Sequence, residues 1–156
     1  MDKNILVAID DSENAMRAVE FVAKFLVHNG KVTLFNVLQD TAALCSIESP
    51  ELTPYFLSQR SSFCVLEDKK KELVDKAMQK ARRILIDAGF EDKNISMKSN
   101  IKKKGIARDI AQEALGGYDL IVIGRKGSSG VKEFFLGSIS QKVLHLATGT
   151  SILVVN

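Results

Sequence analysis

Three stretches of this chain are apolar without interruption: Ile5-Leu6-Val7-Ala8-Ile9, Leu120-Ile121-Val122-Ile123 and, after Ser151, Ile152-Leu153-Val154-Val155. A strand with one wet face alternates polar and apolar residues. A strand that does not alternate is buried on both faces, as happens in a parallel sheet covered by helices on each side. Apolar residues at helical spacing lie between these runs. Ala15, Val19, Val22, Ala23 and Leu26 follow the first, Ile106, Ile110, Ala111, Ala114 and Leu115 precede the second, and Ile139, Val143, Leu144 and Ala147 precede the third. Val32–Leu38 and Ile95–Ile101 read as two further strands, the latter partly exposed. The order β-α-β-α-β-α-β-α-β implies right-handed crossovers and a three-layer α/β/α architecture around a five-stranded parallel sheet. With no linker and no internal repeat, residues 1–156 read as one domain.

The boundaries carry their own signals. Ser12 is placed to cap the first helix, and Asn29-Gly30 reads as its stop. Leu66 to Ala88 is helical in pattern and ends at Gly89. Gln39 to Cys64 is polar and irregular and contains Pro50 and Pro54, which discourage regular helix. A structureless loop this long is unusual, so the segment is expected to hold a short helical piece or to act as a mobile cover. Formal net charge is +3, from 22 basic and 19 acidic residues, too balanced to argue for nucleic acid. The runs Lys69–Lys71 and Lys102–Lys104 lack interleaved aromatics and read as solvated surface. No apolar run is long enough to span a bilayer, and Met1–Asn4 lacks the features of a signal peptide, so a cytoplasmic protein is expected. Cys45 and Cys64 read as free thiols in a reducing compartment, a regulatory disulfide being the alternative.

Ligands of open parallel sheets bind beyond the carboxyl ends of the strands, where strand order reverses. The two most buried runs end at Asp10-Asp11-Ser12 and at Gly124-Arg125-Lys126-Gly127, so these segments should face one crevice. Gly124 and Gly127 suit a sharp turn and a close approach to ligand, and exposed N–H groups there can cradle an anion. Gly137-Ser138 opens the last helix, whose N-terminus suits phosphate. Ser138 and Ser140 add hydroxyls, and Lys126 adds a countercharge. Ser138-Ile139-Ser140-Gln141 also fits a capping box, so capping is a competing role for Ser138. The segment is neither a P-loop nor a dinucleotide fingerprint, since G-x-x-x-x-G-K-[ST] is absent and no G-x-G-x-x-G follows the first strand.

The spacing Gly124-x-x-Gly127, nine residues, then Gly137-Ser138 resembles the nucleotide-binding signature of the universal stress proteins. The opening strand with Asp10 and Ser12, Leu34-Phe35-Asn36-Val37, and the strand Ser151–Val155 fit the same family, least well from about residue 39 to 65. The resemblance implies strand order 3-2-1-4-5, a Rossmann-like fold of the adenine nucleotide alpha hydrolase type, and an ATP-binding subclass. It implies that Asp10 contacts the nucleoside and that Ala8, Ile9 and Val37 surround adenine. It further implies that Gly124, Gly127, Gly137, Ser138, Ile139 and Ser140 wrap ribose and phosphates, and that two copies join through the last strand. Arg125 and Lys126 stand where the family often has a small polar residue and then histidine or arginine; their charge favours phosphate, while the bulk of Arg125 narrows the site. Asp11 stands where glycine is common.

Asp10 has a second reading, since two acids at a strand end could hold Mg²⁺ accompanying ATP. No Cys/His cluster has metal-ligand spacing, and neither His28 nor His145 belongs to a recognisable triad. The functional expectation is a nucleotide-responsive dimer in stress response or signalling, with the Gln39–Cys64 segment ordering over bound nucleotide. A slow ATPase or phosphotransferase is the second reading, with Glu133 and Asp11 the nearest acids in sequence. A dimeric interaction module without nucleotide is the third. An unpaired apolar edge at Ser151–Val155 gives the homodimer a physical reason.

Overall fold

The computed structural model describes residues 2–47, 51, 53–125 and 137–156. Its sheet has five parallel strands, β1 (Asn4–Ala8), β2 (Lys31–Leu38), β3 (Ile95–Ile101), β4 (Leu120–Gly124) and β5 (Ser151–Val155), in the order β3-β2-β1-β4-β5. The helices are α1 (Glu13–Phe25), α2 (Ala42–Cys45), α3 (Pro54–Ala88), α4 (Ile106–Ala114) and α5 (Ser138–Leu146). Among the described residues, no helix is long and apolar enough to cross a membrane.

The uninterrupted apolar runs have a direct cause in the packing. Ile5, Val7 and Ile9 join the core under α1 and α3, while Leu6 between them joins the opposite core under α4 and α5. The same division sends Val122 to the first core and Ile121 and Ile123 to the second. The middles of β1 and β4, Ile5–Val7 and Ile121–Ile123, are buried on both faces, so they cannot carry a polar residue cheaply.

Two helix boundaries differ from the sequence reading. Helix α3 begins at Pro54, twelve residues before the expected start at Leu66. Proline is tolerated at the first helical position, where its missing N–H would be unpaired in any case. Thr53 completes the start, its hydroxyl accepting from Phe56 N at 3.2 Å. The expected short helical piece is α2. Helix α1 ends at Phe25, before the expected stop at Asn29-Gly30. Gly30 serves the sheet instead: a Cβ there would lie 2.9 Å from the Lys3 carbonyl oxygen, the atom that accepts from Lys31 N at 2.8 Å. Gly89 does end α3, in the left-handed conformation at φ 112°.

Cys45 and Cys64 are joined in a disulfide, which fastens α2 to α3. This corrects the reading of two free thiols. Residues nineteen apart with two prolines between them gave no sequence signal of proximity; the early start of α3 brings Cys64 back alongside α2.

Candidate functional site

Beyond the carboxyl ends of β1, β2 and β4 lies a cavity of about 330 Å³, at the lower end of the range for small-molecule sites. Its floor is apolar, with Ala8, Ile9, Val37 and Ile123 among its lining residues. Asp10 and Ser12 lie on one side and Gly124, Gly137, Ser138, Ile139 and Ser140 on the other. The strand order explains why: the chain leaves β1 toward α1 on one face and β4 toward α5 on the other, which opens a crevice between the two turns.

The turn after β1 is held by its own side chains. Asp10 Oδ1 accepts from Ser12 N at 2.9 Å and from the Ser12 hydroxyl. Ser12 Oγ in turn accepts from Ala15 N at 3.2 Å and caps α1. Asp10 Oδ2 has no hydrogen bond among the described residues. The Mg²⁺ reading of Asp10 gains no support: no group of three His, Cys, Asp or Glu side chains among the described residues could hold a metal, and Asp11 is exposed and does not line the cavity.

The turn after β4 is built differently from the expectation. Gly124 does not take a left-handed conformation. A Cβ on it would lie 2.7 Å from the Asn14 carbonyl oxygen and 2.8 Å from the Asn14 carbonyl carbon, so glycine is required where β4 meets α1. Gly137 occupies the N-cap of α5, and no side chain among the described residues caps that helix. Ser138 is therefore the first helical residue and does not fill the capping-box role. The first-turn N–H groups of a helix have no partner within it, and in α5 they belong to Ser138, Ile139 and Ser140, all of which line the cavity. Ser140, only 2% exposed, donates its hydroxyl to the Gly124 carbonyl at 2.7 Å and also lies 3.2 Å from that of Arg125. It thereby ties the start of α5 to the end of β4.

Arg125 does not line the cavity. Its Nη1 donates to Asn156 Oδ1 at 3.0 Å, and its backbone N–H to the Val155 carbonyl at 2.7 Å, which directs it along the end of β5. Lys126 and Gly127, and Glu133 with them, lie outside the described residues.

Several lining residues were not singled out from sequence. Leu38 and Gln39 continue β2 past Val37, where the strand-end rule could have found them. Asn36, 5% exposed, donates Nδ2 to the Ile9 carbonyl at 2.7 Å, while its Oδ1 has no partner among the described residues. Glu67, Lys70 and Lys71 reach the cavity from α3. Lys69 and Lys70 are exposed and Lys71 half-buried, as expected of solvated surface, but Lys70 and Lys71 also border the cavity. The available signal was spacing: Glu67, Lys70 and Lys71 share a helix face with Val74, which is buried and also lines the cavity.

Comparisons with known proteins bear on the family and the fold. A sequence profile described as the universal stress protein family matches residues 1–156. A universal stress protein of Mycolicibacterium smegmatis is 26% identical over 151 residues, covering 96% of this chain and 47% of that protein. The chain thus spans about half the length of this relative. Among solved structures, that of hypothetical protein MJ0577 is similar at a TM-score of 0.70 and 26% identity, covering 99% of this chain and 96% of that one. A universal stress protein in complex with cAMP has the same fold at a TM-score of 0.62 and 19% identity, with 99% and 97% covered.

Proposed function

The chain belongs to the universal stress protein family, and from that premise we propose that it binds an adenine nucleotide, ATP first among them, in the crevice beyond β1, β2 and β4. The observation that carries the reading is the union of an apolar floor with an uncapped helix N-terminus in one cavity. A flat heteroaromatic base fits against Ala8, Ile9 and Val37. The ribose hydroxyls fall to Asp10, whose Oδ2 is open for them. The phosphates go to the first turn of α5 at Gly137, Ser138, Ile139 and Ser140, where free N–H groups and the helix dipole favour anions. Lys126 and Gly127 belong to the phosphate end on sequence grounds. Arg125 supports this end through the backbone of its own turn. The cAMP complex of a protein with the same fold adds to the case for adenine.

In this reading the protein works in the cytoplasm as a nucleotide-responsive homodimer, with nucleotide occupancy as its signal. Strand β5 pairs with β4 on one edge only among the described residues, and a second copy pairing through Ser151–Val155 would cover the other. Light scattering on the eluting protein measures this; a monomer at micromolar concentration would refute it. The nucleotide reading is tested by mass spectrometry of small molecules released on denaturation, together with calorimetric titration of ATP. Adenine nucleotide in the supernatant or saturable ATP binding supports it. Absence of both sinks it.

A further inference from the structure

We propose that the Cys45–Cys64 disulfide is a redox latch on the nucleotide crevice. Oxidised, it holds the amino-terminal half of α3 as a wall that presents Lys70 and Lys71 to the ligand. Reduced, that wall loosens and the crevice holds nucleotide less tightly. The proposal rests on the nucleotide reading above and adds the means by which the site is regulated.

Each half-cystine is close in sequence to residues that line the cavity. Leu38 and Gln39, at the end of β2, line the cavity, and the chain then runs directly into α2 and Cys45. Cys64 lies on α3 immediately before the turns that carry Glu67, Lys70 and Lys71 into the cavity. Neither cysteine lines the cavity; the bond joins the segment that follows the β2 wall to the helix that carries the α3 wall.

The wall on α3 depends on such a fastening. No described residue from Pro54 to Leu73 is buried; burial on α3 starts at Val74 and continues through Met78, Ala81 and Leu85. About five turns of helix thus project beyond the packed part, and most helical stability in a protein comes from packing an apolar face, which these turns lack. Packing supplies little there, since Tyr55, Phe56, Val65 and Leu66 are exposed. The described attachments of these turns are the Thr53 cap, a hydrogen bond from Arg60 to the Ile47 carbonyl, and the disulfide. Once the disulfide is cut, fraying can run back to Val74. It passes through Lys71, Lys70 and Glu67 on the way.

The chemistry is accessible. Both cysteines are only partly buried, so an external thiolate can attack one sulfur. With a dithiol reductant, the first thiolate forms a mixed disulfide and releases one cysteine thiolate. The second thiol then displaces the other cysteine, yielding an oxidised cyclic disulfide and two cysteine thiols, a transfer of two electrons and two protons. In a cytoplasmic setting a disulfide is usually transient and redox-sensing, which suits a latch better than a permanent staple.

The test compares oxidised protein, the same protein reduced with dithiothreitol, and the double variant Cys45→Ser/Cys64→Ser. ATP affinity is read by calorimetry and backbone opening by hydrogen exchange. Reduction is expected to weaken ATP binding roughly 3- to 20-fold, the span of losing one or two exposed charge contacts. It should raise exchange across residues 54–73 while β1, β2 and β4 stay protected, which also shows that the fold survives. The double variant should bind like reduced protein and not respond to dithiothreitol. Lys70→Ala/Lys71→Ala in oxidised protein should reproduce the loss of affinity without the change in exchange. Equal or tighter ATP binding on reduction overturns the latch and leaves the nucleotide reading standing, as does unchanged exchange at 54–73. No ATP binding in any state overturns both.

Discussion

Replacing Gly124 with alanine separates two explanations for a glycine at the end of β4. The added Cβ would sit 2.7 Å from the Asn14 carbonyl oxygen and 2.9 Å from the Asn14 Cβ. That is about 0.7 Å short of the 3.4 Å at which ordinary contact begins, so α1 has to retreat by a similar amount. The neighbour is helix backbone, which cannot swing aside as a side-chain tip can. Overpacking of this kind costs about 1–3 kcal/mol. The backbone at Gly124 is not left-handed, so alanine also removes unfolded-state entropy, a gain of about 0.4–1 kcal/mol. The net expectation is a loss of about 0.5–2 kcal/mol, or a Tm lower by about 1–8 °C for a chain of this size. Because α1 begins at the Asp10-Ser12 turn, its retreat should also widen the crevice and weaken ATP. Differential scanning calorimetry and ATP titration read the two effects. A variant as stable as the parent that has lost ATP would refute the packing argument and return Gly124 to a pure ligand role.

Three further outcomes are expected. Ser140→Ala removes the hydroxyl that joins α5 to the Gly124 carbonyl and should cost about 1–2 kcal/mol by urea unfolding; an unchanged midpoint would refute that tie. Ser12→Ala removes the cap of α1 and one donor to Asp10, with a loss of about 1 kcal/mol; a loss of ATP affinity beyond that seen for other equally destabilised variants would show that the Asp10 turn must be preset. Lys98 Nζ lies 2.8 Å from Glu113 Oε2, and Tyr118 Oη donates to Glu113 Oε1 at 3.1 Å. The hydrogen bond to Glu113 raises the Lys98 pKa above its ordinary 10.5, and burial raises that of Tyr118 above 10.0. Both raised values mean that the fold favours the protonated forms. Their contribution is complete below those ordinary values and is lost as pH rises through the raised ones. Stability should therefore fall above pH 10, and Glu113→Gln should flatten the decline; parallel urea midpoints for both proteins between pH 8 and 11 would contradict it.

The readable parts of the sequence were those where burial on two faces forces composition. Leu6 and Val7 face opposite helix layers, so both must be apolar and the run declares itself. Strand order and the pairing of the Asp10 turn with the Gly124 turn followed from that and from the family pattern. What escaped depends on distance in three dimensions. Pro54 looked like a breaker because its place at the start of a helix is visible only once Thr53 is known to cap it. Gly124 and Gly30 were both legible as special, yet each answers to a backbone oxygen from a remote segment, Asn14 and Lys3. Lys70 and Lys71 were hidden inside a charged run, where only their phase relative to Val74 separates them from Lys69.

The central strand has a consequence for how the molecule comes into being. Strand β1 pairs on one side with β2, which follows shortly after α1, but on the other with β4, where Asn4 bonds Asp119 across a separation of 115 residues. During synthesis at about 5–20 residues per second, the β4 side of β1 stays open for roughly 6–23 s after β1 is made. Its apolar edge is then a docking point for chaperones or for other nascent chains. The crevice does not exist until β4 arrives, so a nucleotide cannot guide the early steps. It can only recognise the finished article, which would make occupancy a report that the whole chain has folded.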